Sequence, residues 1–343
     1  MQTLEEKNDT AWLDNLRVVA TIAVVLLHVV APLALKFGKI SNADWWIANS
    51  IDSLVRFCVP VFVMLTGALL LPRVHTLESY LKKRVARIIL PFLFWSIIYI
   101  LHFLTRLPSN FEFSWQTVSK IAGNKLLTGA SYHLWYIYMI IGIYLILPII
   151  GTWVKKASEK EIIYFLGLWL LSVIVSNSFI KDYIPDFNLK YFSGFIGYLV
   201  LGYYLSLRTL NVKIATAMFC FGIIVCAFGT YYLSIQKGSL SVELYQYFSL
   251  PVIISSIGIF SLFKNLELKK SYLVRIRNLI NKNSFGVYFI HILVLFYLNK
   301  FGLNVADFGF VIGIPLLTFL CFSISLLIIF LLKKIPFLRV LVG

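Results

Sequence analysis

"LDNLRVVATIAVVLLHVVAPLAL", residues 13–35, is apolar along most of its length yet carries Arg17 and His28. A helix that crosses the hydrocarbon of a bilayer needs about 20 mostly apolar residues, and this stretch is long enough. Its two ionisable groups therefore demand a reason. They stand eleven positions apart; at about 3.6 residues per turn they project within roughly 20° of each other, about 16 Å apart along the axis. Arg17 then falls near one membrane boundary, where an arginine can snorkel to headgroups and set topology. His28 falls deep in the span and must face a partner or a polar cavity, which makes it a functional candidate by default. A hydrogen-bonded packing histidine is the plainer alternative.

The rest of the chain repeats the apolar pattern. Of its 343 residues, 60% are hydrophobic and 13% charged, and the mean hydropathy of +0.86 lies outside soluble usage. Length and flanking charge predict an all-α polytopic membrane protein of about ten transmembrane helices, near 14–36, 50–71, 87–106, 133–154, 161–180, 192–208, 212–234, 245–263, 284–299 and 309–332. One integral-membrane domain is expected over 1–343, with no soluble domain. The basic residues alternate between the loops: 21 of 31 fall on the side of the N-terminus and nine on the other, with Arg56 inside a span. This places both termini in the cytoplasm and the chain in the cell (plasma or inner) membrane. The net charge of +16 is thereby a topology signal, and no nucleic-acid partner is expected because the basic loops lack a reading motif. Asp14, Asn15 and Arg17 interrupt the start of the first apolar run and no small-residue cleavage site follows, so it is expected to stay as a helix. Cys58, Cys220, Cys226 and Cys321 fall within spans without CxxC spacing; buried free thiols are expected, and no metal site.

Further polar groups are candidates for the same cavity. Asp52 and Arg56 stand at i and i+4 and can pair on one helix face. His133 opens the fourth span in "SYHLWYIYM", beside Tyr136, where tyrosine and tryptophan also serve as ordinary interface anchors. Tyr288 and His291 in "SFGVYFIH" are three apart and share a face about halfway across the ninth span. His102 and His75 have no such company and read as incidental. In "LKKRVARIILP", residues 81–91, Arg84 and Arg87 are i and i+3 beside Lys83, so their guanidinium groups face one way and can hold a phosphate or diphosphate; any loop on that side also collects basic residues. Residues 107–132 form a long outer segment with Phe111, Phe113 and Trp115, a lid or a tethered surface loop. The basic stretch 264–283 has apolar residues at helical spacing and is expected to lie on the inner leaflet.

Taken together, these residues resemble acyltransferase family three, the integral-membrane O-acyltransferases. The resemblance rests on Arg17 and His28 within "WLDNLRVVATIAVVLLH", Arg84 and Arg87 before Pro91, "YHLWYIYM" and "SFGVYFIH", in the family's order and across nearly the whole chain. "RFCVPVFVMLTGALLL" resembles the family's second helix, with Thr66 where serine is more usual. The likeness is nearest to short, stand-alone members that O-acetylate cell-surface polysaccharides such as the enterobacterial common antigen. It implies an acyl-CoA donor, usually acetyl-CoA, used as a substrate with no permanently bound cofactor. The implied partners are a glycan or glycolipid acceptor and the bilayer; homo-oligomerisation is left open. By resemblance, Arg84, Arg87 and Lys83 hold the CoA phosphates, His28 and Arg17 are catalytic, and Arg56, Asp52, His133, Tyr136, Tyr288 and His291 line the acceptor side. Arg56 is not among the family's widely shared motifs.

The chemistry fits those residue types. A hydroxyl is a poor nucleophile near neutral pH and needs a base within hydrogen-bond reach, a role neutral imidazole fills. Direct transfer and a two-step route through an acyl-histidine are both open. The rival reading is a polytopic transporter or exporter of a glycan or small metabolite, which also carries intramembrane Arg, His and Asp; inverted repeats and paired broken helices, its usual marks, are not visible.

Overall fold

The first apolar stretch folds as α1 (Ala11–Ala34), and helices from both ends of the chain pack against it. The computed structural model describes residues 10–73, 86–176, 194–266 and 271–343, and their regular structure is entirely helical. After α1 come α2 (Asn42–Val55), α3 (Cys58–Leu70), α4 (Ala86–Leu104), α5 (Trp115–Thr128) and α6 (Trp135–Lys156). Then follow α7 (Glu159–Val175), α8 (Ile196–Leu207), α9 (Val212–Lys237), α10 (Leu250–Lys264), α11 (Ser271–Lys300), α12 (Phe310–Leu332) and the short α13 (Leu338–Leu341). α1 packs against α2, α3, α10, α11 and α12, and Leu16, Ala20 and Val30 are wholly buried in those contacts.

Eight helical segments among the described residues are long and apolar enough to cross a membrane. Two of the ten predicted spans are shorter: α7 has 17 residues and α8 has 12, about 26 Å and 18 Å long. The described part of α8 is too short to cross a membrane by its own length, and what holds it is close packing on α3. Gly67 on α3 and Gly202 on α8 face each other's helices; a Cβ on Gly67 would overlap the Leu199 carbonyl, and one on Gly202 would overlap the Met64 backbone. Small residues at such crossings let helix backbones meet where apolar burial alone gives little drive.

The structure changes three sequence expectations. The span predicted at 50–71 is longer and broken, with α2 ending at Val55 and α3 starting at Cys58. Pro60 explains the break, because its ring excludes the carbonyl four residues back, that of Arg56, and it has no N–H to offer. The segment 107–132 is not a loop throughout: α5 fills its middle, started by Ser114 Oγ accepting from Thr117 N at 3.1 Å. No residue of α5 is buried. The stretch 264–283 is not a separate helix lying on the surface, since Ser271 to Lys300 run as one 30-residue helix of about 45 Å with no proline to interrupt it. The four cysteines are free; Cys58, Cys226 and Cys321 are buried and Cys220 is exposed.

Candidate active site

Two helix stripes form the wall of an elongated cavity of about 570 Å³, a size usual for small-molecule sites. On α1 the lining residues Arg17, Thr21, Val24 and His28 recur every three or four positions, which is one face of a helix. On α11 the lining residues Asn281, Ser284 and Tyr288 follow the same spacing, and His291 continues it. The expectation that Arg17 and His28 share a face holds, and both border this one cavity. Eleven helical residues set them about 16 Å apart in depth.

At the Arg17 end, the guanidinium donates to Asp14 Oδ1 at 3.0 Å, with its side chain 27% exposed. Arg87, exposed in the first turn of α4, borders the same cavity. Arg84, Lys83 and His75 lie outside the described residues. Asn281 donates through Nδ2 to the Asp14 carbonyl at 3.0 Å, while its Oδ1 is buried without a partner. Thr21 Oγ1 donates to the Arg17 carbonyl at 2.8 Å, so that hydroxyl is spent within its own helix.

At the other end three histidines from three segments meet. The His28 ring centroid is 5.1 Å from His291 and 6.3 Å from His133, and those two are 5.3 Å apart. Tyr132, 64% exposed, sets its edge against His28 at 5.4 Å. His28 thus stands between the cavity and an exposed aromatic residue. Tyr288 donates to the His133 carbonyl at 2.5 Å, and Tyr99 donates to the Phe289 carbonyl at 2.7 Å; these bonds tie α11 to the start of α6 and to α4. His291 holds its Nδ1 2.7 Å from the Tyr288 carbonyl, and the Nε2 atoms of His291 and His133 are buried without partners. Among the described residues no His, Cys, Asp or Glu group has the geometry to hold a metal ion.

The remaining predicted site residues divide. His133, Tyr136 and Tyr288 line the cavity. His291 is wholly buried behind His28. Asp52 and Arg56 pair as their spacing suggested, with Arg56 Nε donating to Asp52 Oδ2 at 3.1 Å, but they do not border the cavity. The break before α3 turns Arg56 onto the Tyr245 ring, 4.3 Å from its centroid. Tyr245 in turn donates to Asn49 Oδ1 at 2.5 Å, and Asn49 Nδ2 donates to the Ala227 carbonyl at 3.0 Å. That network clamps α2, α9 and the turn before α10. His102 contacts Phe296 and Tyr297 in a separate groove with Arg106 and Lys300.

Sequence reasoning missed Asn281, Ser284 and Tyr132. The first two carry a signal, because they extend the stripe of Tyr288 and His291 back by two turns. Tyr132 carries none, since an aromatic residue there is equally an interface anchor.

Residues 10–333 match a family described as an acyltransferase domain. No curated protein matches the chain, and no solved structure does.

Proposed function

The chain belongs to acyltransferase family three, a multi-pass membrane protein, and on that premise we propose that it carries an acyl group, acetyl foremost, from cytoplasmic acyl-CoA to a hydroxyl of a surface or exported glycan. One observation carries this reading: Arg17 and His28 border a single cavity, with Arg87 at the same end as Arg17 and the exposed Tyr132 beyond His28. A long, slender donor with an anionic head suits that shape. Arg87, joined by Arg84 and Lys83, would hold the CoA phosphates at the positive end of α4. The pantetheine arm would run between the α1 and α11 stripes, and its thioester would reach His28.

Transfer then needs the acceptor hydroxyl within hydrogen-bond reach of His28, its base. The oxygen–carbon bond forms as the carbon–sulfur bond breaks; the hydroxyl proton passes to His28 and from there to the departing thiolate. Arg17 would orient the donor. The Tyr136 phenol on the cavity wall would be a donor for the oxyanion, with Tyr288 and His133 bordering the acceptor side. His28 is equally placed to take the acyl group itself in a two-step route, which would let donor and acceptor approach from opposite sides. On this reading Asp52 and Arg56 brace the helices that shape the site.

The test is transfer from radiolabelled acetyl-CoA in membranes holding equal amounts of the wild type and His28→Ala, with the envelope glycan fraction counted. Label in that fraction with the wild type alone supports the proposal. No label with either, when glycan precursors and other acyl-CoAs are supplied, overturns it in favour of a carrier.

A further inference from the structure

His291 has a fixed tautomer. Its Nδ1 lies 2.7 Å from the Tyr288 carbonyl and 3.2 Å from the Val287 carbonyl, both on its own helix. Carbonyl oxygens only accept, so Nδ1 carries the proton, and Nε2 of the neutral ring is a bare lone pair. That lone pair is buried and unpartnered, a costly arrangement unless something uses it. The nearest of the other two histidine rings is His28, centroid to centroid 5.1 Å, tilted by 40°. A hydrogen bond of about 3 Å between facing ring nitrogens brings two imidazole centroids to about this separation. The two rings are not hydrogen-bonded in this structure, but His28 borders the open cavity, which leaves its ring free to turn toward His291. The His133 ring lies almost as near His291, at 5.3 Å, but it does not border His28 as closely, at 6.3 Å, and its Nδ1 faces Ser131 Oγ at 3.1 Å, a hydroxyl that donates or accepts and so leaves its tautomer open.

We propose that His291 is the positioning residue of the catalytic base: its Nε2 accepts a hydrogen bond from the inner N–H of His28, leaving the outer nitrogen of His28 bare toward the acceptor hydroxyl. A base oriented by a third group is the arrangement that activates many nucleophiles; here the third group is an imidazole locked by its own helix backbone. When the acceptor hydroxyl gives its proton to the outer nitrogen, His28 holds two protons, and the inner one is shared with His291. The outer proton then goes to the thiolate as the carbon–sulfur bond breaks, which returns both rings to their starting state. The inference rests on the acyltransferase reading.

The experiment compares wild type, His28→Ala, His291→Gln, His291→Leu and His291→Met in detergent-solubilised full-length protein, measuring kcat, KM for acetyl-CoA and melting temperature. Glutamine keeps an acceptor oxygen near the place of Nε2; leucine has none. The expected result is a loss of about a hundredfold in kcat for His291→Leu with KM for acetyl-CoA unchanged. His291→Gln is expected within about tenfold of wild type, and His28→Ala at background. His291→Met replaces the leucine variant if that one does not fold. Glutamine and leucine variants of equal kcat overturn the proposal, because the acceptor atom then does not matter. A glutamine variant as inactive as His28→Ala also overturns it, making His291 the base itself. A wild type that transfers nothing fails the acyltransferase reading instead, and a transferring wild type with an unimpaired leucine variant fails this inference alone.

Discussion

Arg87 is exposed at the cavity mouth and takes no part in the buried interior, so its removal tests donor binding with little effect on folding. A hydrogen bond to a charged group contributes about 1.5–3 kcal/mol, or about ten- to a hundredfold. Arg87→Ala is expected to raise KM for acyl-CoA by at least about tenfold with kcat nearly unchanged, measured as initial rates against donor concentration. Asp52 belongs to stability instead. It is wholly buried against Arg56, and removing one partner of a buried pair leaves a charge uncompensated at about 3–5 kcal/mol. Asp52→Ala should therefore lower the melting temperature in detergent, and adding Arg56→Met should restore much of the loss; a double variant no more stable than Asp52→Ala would rule out an unpaired charge as the cause. At this scale the helical period alone paired Arg17 with His28 and Asp52 with Arg56. It could not say which pair meets the cavity, because that depends on how each helix is turned about its axis.

Between helices, close approach is the deciding term. The α3–α8 crossing has no room for a side chain at Gly67 or Gly202, and overpacking a tight contact costs about 1–3 kcal/mol. Gly67→Val is expected to reduce the yield of folded protein and its melting temperature, while Gly142→Val, where a Cβ meets nothing within 4 Å, should change neither. Lys333, just beyond α12, is half-buried; burial pushes its amine down to about 8 from 10.5, with Lys282 and Arg339 adding to the effect. An unfolded chain keeps that proton until about 10.5, so between the two values the unfolded state binds more protons and stability rises with pH. The melting temperature should climb across that window in the wild type and less in Lys333→Gln. Hydropathy placed most of the helices to within a few residues but missed the break at Arg56 and the continuity of α11. The break is set by a proline four residues on. The continuity arose because a basic N-terminal extension reads as surface by composition, whereas nothing in its backbone stops the helix that follows.

For the whole molecule, the alternation of basic loops predicts that the Arg17 end of the cavity faces the cytoplasm. With the native cysteines replaced, Lys39→Cys and Lys237→Cys should react with a membrane-impermeant maleimide in intact cells. Lys160→Cys and Arg208→Cys should react only after permeabilisation. The reverse pattern would turn the donor site outward and end the acyl-CoA reading. From its sequence alone the chain determined its class as a helical membrane protein, the approximate positions of its spans, and the shared face of Arg17 and His28. These follow from hydropathy and the 3.6-residue period, properties of neighbours along the chain. Only the tertiary structure decided that His28, His133 and His291 converge, that Asn281 and Ser284 complete the cavity, and that Arg56 turns away to Tyr245. Those meetings depend on the rotation and tilt of whole helices, set by many small packing contacts spread along the chain, which no local pattern records.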